Sequence, residues 1–188
     1  MDKQVLARKI YQTSNIQGNF ILRSQQRATE YFDKYLFEAQ PKLLYEIAHQ
    51  LVDFIPENID ILAGLEMGGI PIATALSLRT GIPQVFVRKE AKTYGTCRLA
   101  EGGDIKGKHL LIVEDVVTSG GAIIDAVNQL RKLEAKVDRS ICVIDREGSA
   151  RENLKNIGIE LIPLFTKSYL EYEKSKSNSF GSGTGCRV

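Results

Sequence analysis

Two carboxylates and a run of hydroxyl and glycine residues stand close together in the middle of the chain. Glu114 and Asp115 follow the apolar residues 110–113, and the run Thr118–Gly121 reads Thr-Ser-Gly-Gly. From Ala122 onward, apolar residues recur at helical spacing. The pattern predicts a short buried strand, a polar loop and a helix. The acids lie at the strand's carboxyl end, at the sheet edge where open α/β folds bind ligands.

The loop suits a phosphate and the two acids suit sugar hydroxyls. Hydroxyls from Thr118 and Ser119, with the unobstructed backbone N–H groups of two glycines at a helix N-terminus, favour a phosphate dianion. Glu114 and Asp115 would repel that phosphate, so they must face another part of the ligand, and paired acceptors suit a cis-diol. A ligand with both groups is a ribose 5-phosphate. The alternative is a strand end with solvated acids and a Thr or Ser helix cap.

A second glycine-rich turn lies between a strand predicted over 59–63 and a helix predicted to continue through Leu78. It reads Gly-Leu-Glu-Met-Gly-Gly over residues 64–69. A pyrophosphate needs close backbone N–H groups of this kind, so Met67 and Gly68 are candidate ligand-binding residues. The alternative is a tight turn that uses glycine for a positive φ.

A basic segment follows the next predicted strand, which covers residues 83–87. Residues 88–103 show neither the helical nor the strand spacing of apolar residues. They contain four cations, Arg88, Lys89, Lys92 and Arg98. Long aperiodic segments in compact domains are commonly lids, and cations on a lid can neutralise a departing pyrophosphate. The alternative is a solvated basic loop.

The composition is that of one soluble globular domain. The chain has 188 residues, 43% hydrophobic and 26% charged, with a net charge of +2, which gives no broad nucleic-acid or membrane signal. Three scattered cysteines and two histidines argue against a disulfide framework, a zinc site or a histidine-based triad. No apolar run has the length of a membrane span or signal peptide, so we expect a cytoplasmic protein.

The order of elements predicts an α/β fold. A mostly parallel central sheet is flanked by helices, with a small N-terminal hood at about residues 14–40. We predict a single domain over residues 1–174, whose last element is a short helix over 167–174. A flexible tail rich in Ser, Lys, Asn and Gly is expected over 175–188.

The central segment also resembles a known family. Val113–Ala122, V-E-D-V-V-T-S-G-G-A, is similar to the phosphoribosyl-pyrophosphate (PRPP) signature of the type I phosphoribosyltransferases. The resemblance implies that fold, an acidic pair that holds the ribose hydroxyls, and a loop that cups the 5′-phosphate. The implied phosphate-binding residues are Thr118, Ser119, Gly120, Gly121 and Ala122. Neither a G-x-x-x-x-G-K-[ST] loop nor a G-x-G-x-x-G turn that opens a helix is present to support a different nucleotide site.

The basic segment narrows the resemblance to the orotate phosphoribosyltransferases. Arg88–Gly102, R-K-E-A-K-T-Y-G-T-C-R-L-A-E-G, is similar to their catalytic loop, which in that family crosses a dimer interface into the neighbouring active site. The resemblance therefore implies a homodimer with a shared lid. It assigns pyrophosphate and PRPP contacts to Arg88, Lys89, Lys92 and Tyr94, of which the first three, with Asp115, are the implied catalytic residues.

The N-terminal segment resembles the hood that covers orotate in this family, F-x-L-[KR]-S-G followed by Y-F-D. The resemblance implies that Arg23 is a cation near the base and that Tyr31 or Phe32 stacks on it, because a flat anion suits an aromatic face and a guanidinium. The resemblance also implies that Thr118, besides binding the phosphate, is an orotate-binding residue. Gln25 stands where the family usually has glycine.

A third motif, Asp145–Glu147, is similar to the family's D-R-[EQ]. Its arginine, Arg146, is the implied orotate contact. The alternative is a structural salt bridge between Arg146 and Glu147 or a neighbouring acid.

The implied reaction joins orotate to PRPP and gives orotidine 5′-monophosphate and pyrophosphate, a step of pyrimidine biosynthesis. Mg²⁺ is the implied cofactor, bound mainly through substrate oxygens and with no direct protein ligand. Nucleic acid and membrane are not expected partners. Two alternatives stay open, a transferase for another base and a non-enzymatic PRPP-binding regulator on the same fold.

Overall fold

The computed structural model describes residues 1–21, 25–90 and 98–179 of the chain. Three predicted site residues, Arg23, Lys92 and Tyr94, lie outside the described residues.

Seven helices and eight strands are found in the described ranges. The helices are α1 (Lys3–Ser14), α2 (Lys34–Glu38), α3 (Pro41–Leu51), α4 (Glu66–Thr80), α5 (Gly121–Lys132), α6 (Ala150–Lys155) and α7 (Lys167–Ser179), with a 3₁₀ turn at Val52–Phe54. The strands are β1 (Asn15–Ile21), β2 (Arg27–Phe32), β3 (Ile61–Leu65), β4 (Gln84–Val87), β5 (Ala100–Glu101), β6 (His109–Val117), β7 (Lys136–Asp145) and β8 (Glu160–Thr166).

Six strands form the central sheet in the order β5-β4-β3-β6-β7-β8. Every neighbouring pair is parallel except β4 and β5, so the predicted mostly parallel sheet is confirmed. The chain moves outward from β3 to β4 on one side and from β6 to β8 on the other. The strand order therefore reverses between β3 and β6, and their carboxyl ends flank the crevice in which such sheets bind ligands.

Apolar layers cover both faces of the sheet. Residues 110–113 of β6 are fully buried, as a central parallel strand requires. On one face α5 contributes Ile123, Val127 and Leu130 at helical spacing, together with residues of α6. The opposite face is covered by α1, α3, α4 and α7, with α2 at its edge. This packing holds the β3 and β6 ends at fixed relative positions.

The N-terminal hood is a separate antiparallel pair followed by the short helix α2. β1 pairs with β2 from Asn15↔Phe32 to Ile21↔Arg27. Asp33 caps α2, since its carboxylate accepts a hydrogen bond from the backbone N–H of Tyr35 at 3.0 Å. Phe37 is fully buried in the core below and anchors α2 over the sheet edge.

Three elements depart from the sequence prediction by more than two residues. The strand that contains Leu110 continues to Val117, because Val116 and Val117 extend the ladder with β7, so both carboxylates lie within a strand rather than after it. The segment predicted as a loop over 88–103 contains β5, which pairs with β4.

The last helix is also longer than predicted. α7 reaches Ser179, so the region expected to be a tail from Ser175 onward begins as helix. Contacts with α1 fix the helix just before the additional residues. Arg8 pairs with Glu173 at 2.7 Å, and Lys174 donates to the Tyr11 hydroxyl at 3.0 Å. Within the described ranges, no helix combines the length and apolar character needed to cross a bilayer.

Candidate active site

The phosphate cup, Thr118–Ala122, joins β6 to α5. Gly120 is the N-cap of α5 with a φ of 78°, a left-handed conformation that strains any residue with a Cβ. The Thr118 and Ser119 side chains are exposed, while the carbonyl of Ser119 accepts a hydrogen bond from Asn153 at 3.0 Å. The cup therefore presents two hydroxyls and the free N–H groups of a helix start to a cavity of about 210 Å³.

The pyrophosphate turn, Glu66–Gly69, joins β3 to α4 and lies directly on β6. A Cβ on Gly68 would lie 1.9 Å from the Asp115 carboxylate, and one on Gly69 would lie 2.1 Å from the carbonyl oxygen of Val113. The glycines are therefore present for close packing, and positive φ falls instead on Glu66, at 47°. Met67 is exposed at the mouth of the turn.

The acidic pair is buried, against the alternative of a solvated strand end. Asp115 is fully buried and Glu114 is 9% exposed, so the interpretation of both as solvated acids is wrong. Lys34 reaches from α2 to place its Nζ atom 2.6 Å from Asp115 Oδ2. Glu38, one turn further along α2, is also buried and interacts with Asp115. A cluster of three carboxyl groups and one ammonium therefore lies beneath the crevice.

Burial and mutual charge set the protonation of this acid cluster. Burial and the neighbouring Asp115 charge raise the pKa of Glu38 to about 9, and the same two causes raise the pKa of Glu114 well above its usual range. Burial opposes the charge on Asp115, but hydrogen bonds from Glu114, Lys34 and Glu38 hold its pKa below the usual value. Burial would likewise lower the pKa of Lys34, and the contact with Asp115 reverses this and raises it. At neutral pH Asp115 is therefore the ionised carboxylate that pairs with the Lys34 ammonium, and Glu38 carries a proton.

The hood and the sheet edge enclose two adjoining cavities of about 370 and 240 Å³. Phe32, Val116 and Arg146 line both of them, and Thr118 and Tyr31 line the larger. The Tyr31 ring lies 5.4 Å from that of Phe20. The structure thus brings the predicted aromatic residues and arginine to one place.

Arg146 makes no ion pair with any residue in the described part of the chain, so the alternative of a structural salt bridge is not found there. Its neighbours use other partners. Asp145 pairs with Arg151 at 2.7 Å, and Glu147 accepts hydrogen bonds from the backbone and hydroxyl of Ser168 at 2.7 and 2.8 Å. The exposed guanidinium is therefore available to a ligand.

The start of the basic segment lies against the pyrophosphate turn. The backbone N–H of Lys89 donates to the Glu66 carboxylate, and that of Arg88 donates to the carbonyl of Leu99 at 3.0 Å. Both side chains are exposed. Arg88 and Lys89 are therefore held near the turn.

Three site residues escaped the sequence analysis: Lys34, Glu38 and Glu66. Lys34 directly follows the Y-F-D motif, which was the one available hint, but its contact with Asp115 bridges 81 positions of sequence and depends on the docking of α2. Among the described residues, no group of three or more His, Cys, Asp or Glu side chains is arranged to hold a metal ion.

Comparison with known proteins agrees with this geometry. Residues 36–168 match the phosphoribosyl transferase domain family. The chain is 49% identical over 166 residues to the orotate phosphoribosyltransferase of Nocardioides sp., covering 88% of this chain and 93% of that protein. It is 41% identical over 153 residues to the enzyme of the same name from Methanocella arvoryzae, covering 81% and 87% of the two chains.

A solved structure gives the same result. The orotate phosphoribosyltransferase of Mycobacterium tuberculosis superimposes with a TM-score of 0.82 at 27% identity, covering 90% of this chain and 99% of that one. The predicted type I phosphoribosyltransferase fold is thereby confirmed. The chain belongs to the orotate phosphoribosyltransferase family.

Proposed function

We propose that this protein transfers the 5-phosphoribosyl group of PRPP to orotate, giving orotidine 5′-monophosphate and pyrophosphate. The observation that carries the proposal is the convergence, at the crevice between β3 and β6, of a phosphate cup, a buried acid cluster and a cavity lined by Phe32 and Arg146. The C1′–oxygen bond to pyrophosphate breaks, a C1′–nitrogen bond to orotate forms, and the proton of that nitrogen is lost to the departing pyrophosphate or to water.

PRPP would lie along the carboxyl edge of β6. The cup binds the 5′-phosphate through the Thr118 and Ser119 hydroxyls and the backbone of Gly120, Gly121 and Ala122. The ribose hydroxyls face the acid cluster, in which the ionised carboxylate of Asp115 is the acceptor and Glu114 is its neighbour. The pyrophosphate lies over Met67 and Gly68.

Orotate would occupy the cavity beneath the hood. A flat anion stacks on Phe32 or Tyr31 and places its carboxylate toward Arg146, with Arg23 as a second proposed cation and Thr118 at the ribose side.

Catalysis is chiefly positional and electrostatic. The ribose becomes cationic as pyrophosphate departs, and the Asp115 carboxylate favours that charge. Arg88, Lys89 and Lys92, with Tyr94, cover the departing anion. We expect Lys92→Ala to lower turnover far more than PRPP affinity, and equal losses in both would contradict this role.

Mg²⁺ is the proposed cofactor. The fixed carboxylate of Asp115 next to the ribose position fits a cation carried by the pyrophosphate and ribose oxygens of PRPP. When bound, Mg²⁺ neutralises charge on the leaving group. A homodimer with a shared lid, carried over from the family resemblance, and a cytoplasmic location, inferred from composition, complete the proposal. Light scattering tests the dimer.

The test is the fall in orotate absorbance with PRPP and Mg²⁺, with uracil, hypoxanthine and adenine assayed by product chromatography. We expect turnover of orotate alone, and loss of it in Arg146→Ala. Arg139→Ala, which removes an exposed arginine paired with Glu160, is the matched control. Turnover of another base would overturn the assignment of the hood, and PRPP binding without turnover would favour the regulator.

A further inference from the structure

Lys34 occupies the junction between the phosphate cup and the hood cavity. It lines both the 210 Å³ cavity over the cup and the 370 Å³ cavity beneath the hood. Its Nζ atom lies 2.6 Å from Asp115 Oδ2, and 34% of the side chain stays exposed. Among the described residues, Lys34 is the one cation that lines the cup cavity.

The charges at this junction do not balance once a phosphate is bound. A phosphate dianion adds negative charge to a cup cavity lined by Lys34 and Glu114, and Asp115 contacts the same Lys34 ammonium, so the phosphate and the Asp115 carboxylate repel each other. Lys34 contacts Oδ2 of Asp115 in the free protein, and Asp115 is fully buried, so a ribose hydroxyl reaches this carboxylate only if a neighbouring group moves. Movement of the ammonium from Asp115 toward the cup would meet both requirements.

The surroundings allow such a movement. α2 is anchored by the fully buried Phe37, so the helix stays in place while the lysine stem turns about its rotatable bonds. Asp115 keeps a partner after Lys34 leaves, since the backbone N–H of Val116 donates to its Oδ1 atom, and the carboxyl group of Glu38 beside it carries a proton at neutral pH. Asp33 is the other charged group that acts on Glu38 from the hood.

We propose that Lys34 is a PRPP-binding residue whose ammonium rests on Asp115 in the free protein and contacts the 5′-phosphate when PRPP binds. The proposal rests on the proposed function, because it assumes that the cup holds the 5′-phosphate of a ribose ligand. It adds a cation from the hood to a site otherwise built from the β6–α5 loop.

The test compares ligands that differ only in the phosphate. Inhibition constants of orotidine 5′-monophosphate and orotidine are measured for the parent protein and Lys34→Met. Loss of a charge-assisted hydrogen bond should weaken the nucleotide roughly tenfold or more. Orotidine and pyrophosphate should bind as before.

Lys106→Met is the matched control. Lys106 is an exposed lysine paired with Glu134, away from the crevice, and its loss should leave all three inhibition constants unchanged. Lys34→Arg should retain most of the nucleotide affinity, because the positive charge remains.

A variant that removes the counterion of a buried carboxylate can fail to fold. The same ligand pair is therefore also measured in Asp115→Asn, with and without Lys34→Met, where the buried charge is absent. If Lys34→Met leaves the preference for the nucleotide over orotidine unchanged in the Asp115→Asn protein, the proposal is overturned.

Two other outcomes would also overturn it. Equal weakening of nucleotide and nucleoside would mean that Lys34 acts only through Asp115, and equal weakening of pyrophosphate would mean that it serves the other phosphate site. Ribose 5-phosphate binding, followed in parallel, needs no base. A protein that does not turn over orotate therefore refutes the proposed function without deciding the role of Lys34.

Discussion

The pyrophosphate turn and the phosphate cup have similar compositions but use glycine for different physical reasons. In the pyrophosphate turn, Gly68 and Gly69 have ordinary negative-φ backbones and lie so close to β6 that a Cβ would overlap Asp115 or the Val113 carbonyl. In the cup, Gly120 has space limited mainly by Leu154 and instead needs a positive φ. A strand-glycine-helix pattern therefore encodes close packing at one site and backbone conformation at the other.

The difference extends to where strain is placed. The cup assigns its left-handed position to a glycine, which tolerates it. In the pyrophosphate turn the left-handed residue is Glu66, whose carboxylate accepts a hydrogen bond from the backbone N–H of Lys89. A strained residue that also makes a contact at a ligand-binding turn suggests that the conformation serves function. Substitutions that separate packing from conformation test this comparison.

Gly68→Ala should have the largest effect. Its methyl group would overlap the carboxylate of Asp115, so the acid cluster or the turn must shift. A shift of this size at reacting groups costs on the order of a hundredfold in kcat/KM. Steady-state kinetics with varied PRPP would measure the loss, and a variant within threefold of the parent would contradict the close packing.

Gly120→Ala should act mainly on stability. A left-handed alanine costs about 1–2 kcal/mol, and contact with Leu154 adds to it. The expected result is a lower free energy of unfolding in urea, with a several-fold weaker affinity for ribose 5-phosphate. Gly107→Ala is the control, since Gly107 has a φ of 72° and nothing within 4 Å of an added Cβ. It should lose similar stability and keep its affinity.

Glu66→Ala should loosen the basic segment. It removes the acceptor for the Lys89 N–H, and loss of one hydrogen bond of about 1 kcal/mol corresponds to roughly a fivefold rise in KM for PRPP. Glu66→Gln retains an acceptor oxygen and should stay near the parent value. If the two variants behave alike, the charge rather than the hydrogen bond is what matters.

Gln25→Gly should give a smaller effect, of opposite sign. Gln25 has a φ of 64°, so glycine relieves strain and is expected to raise the free energy of unfolding by about 0.5–1 kcal/mol. Glu134→Gly, at φ 63° and outside the candidate site, is the matched control. A loss of orotate affinity in Gln25→Gly alone would show that the strain at Gln25, unlike that at Glu134, serves binding.

Gly121→Ala should have the smallest effect. The nearest atom to an added Cβ is the Ser119 hydroxyl at an ordinary 3.7 Å, and the φ of Gly121 is not positive. We expect less than a threefold change in kcat/KM. A large loss would mean that a ligand packs against Gly121 as closely as Asp115 packs against Gly68.

The sequence predicted those parts of the site that depend on local pattern. Thr118–Gly121 follow a buried apolar run and precede apolar residues at helical spacing, so the strand, the cup and the helix could all be predicted. The left-handed backbone of Gln25 was not predicted, and the one hint was that the family usually has glycine at this position. Its backbone conformation gives a physical reason for that preference.

The tertiary parts of the site were not predictable in this way. The extension of β6 through Asp115 depends on pairing with β7 and on partners for a buried charge, and those partners, Lys34 and Glu38, lie on α2, far away in sequence. The end of α7 at Ser179 was not predicted either, since the polar residues 175–179 have no apolar periodicity of their own. Contacts between residues so far apart cannot be predicted from the residues next to each of them in the sequence.

The parallel ladder between β6 and β7 has a consequence for how the two substrates meet. Val117 is in register with Asp145, and the N–H of Arg146 donates to the carbonyl of Val117 at 2.8 Å, one residue before the cup begins. If the proposed roles are right, the orotate-binding Arg146 and the phosphate-binding loop that begins at Thr118 follow neighbouring, hydrogen-bonded strands of one sheet. Two freely diffusing molecules would be held at a high effective molarity by a spacing that the main chain sets.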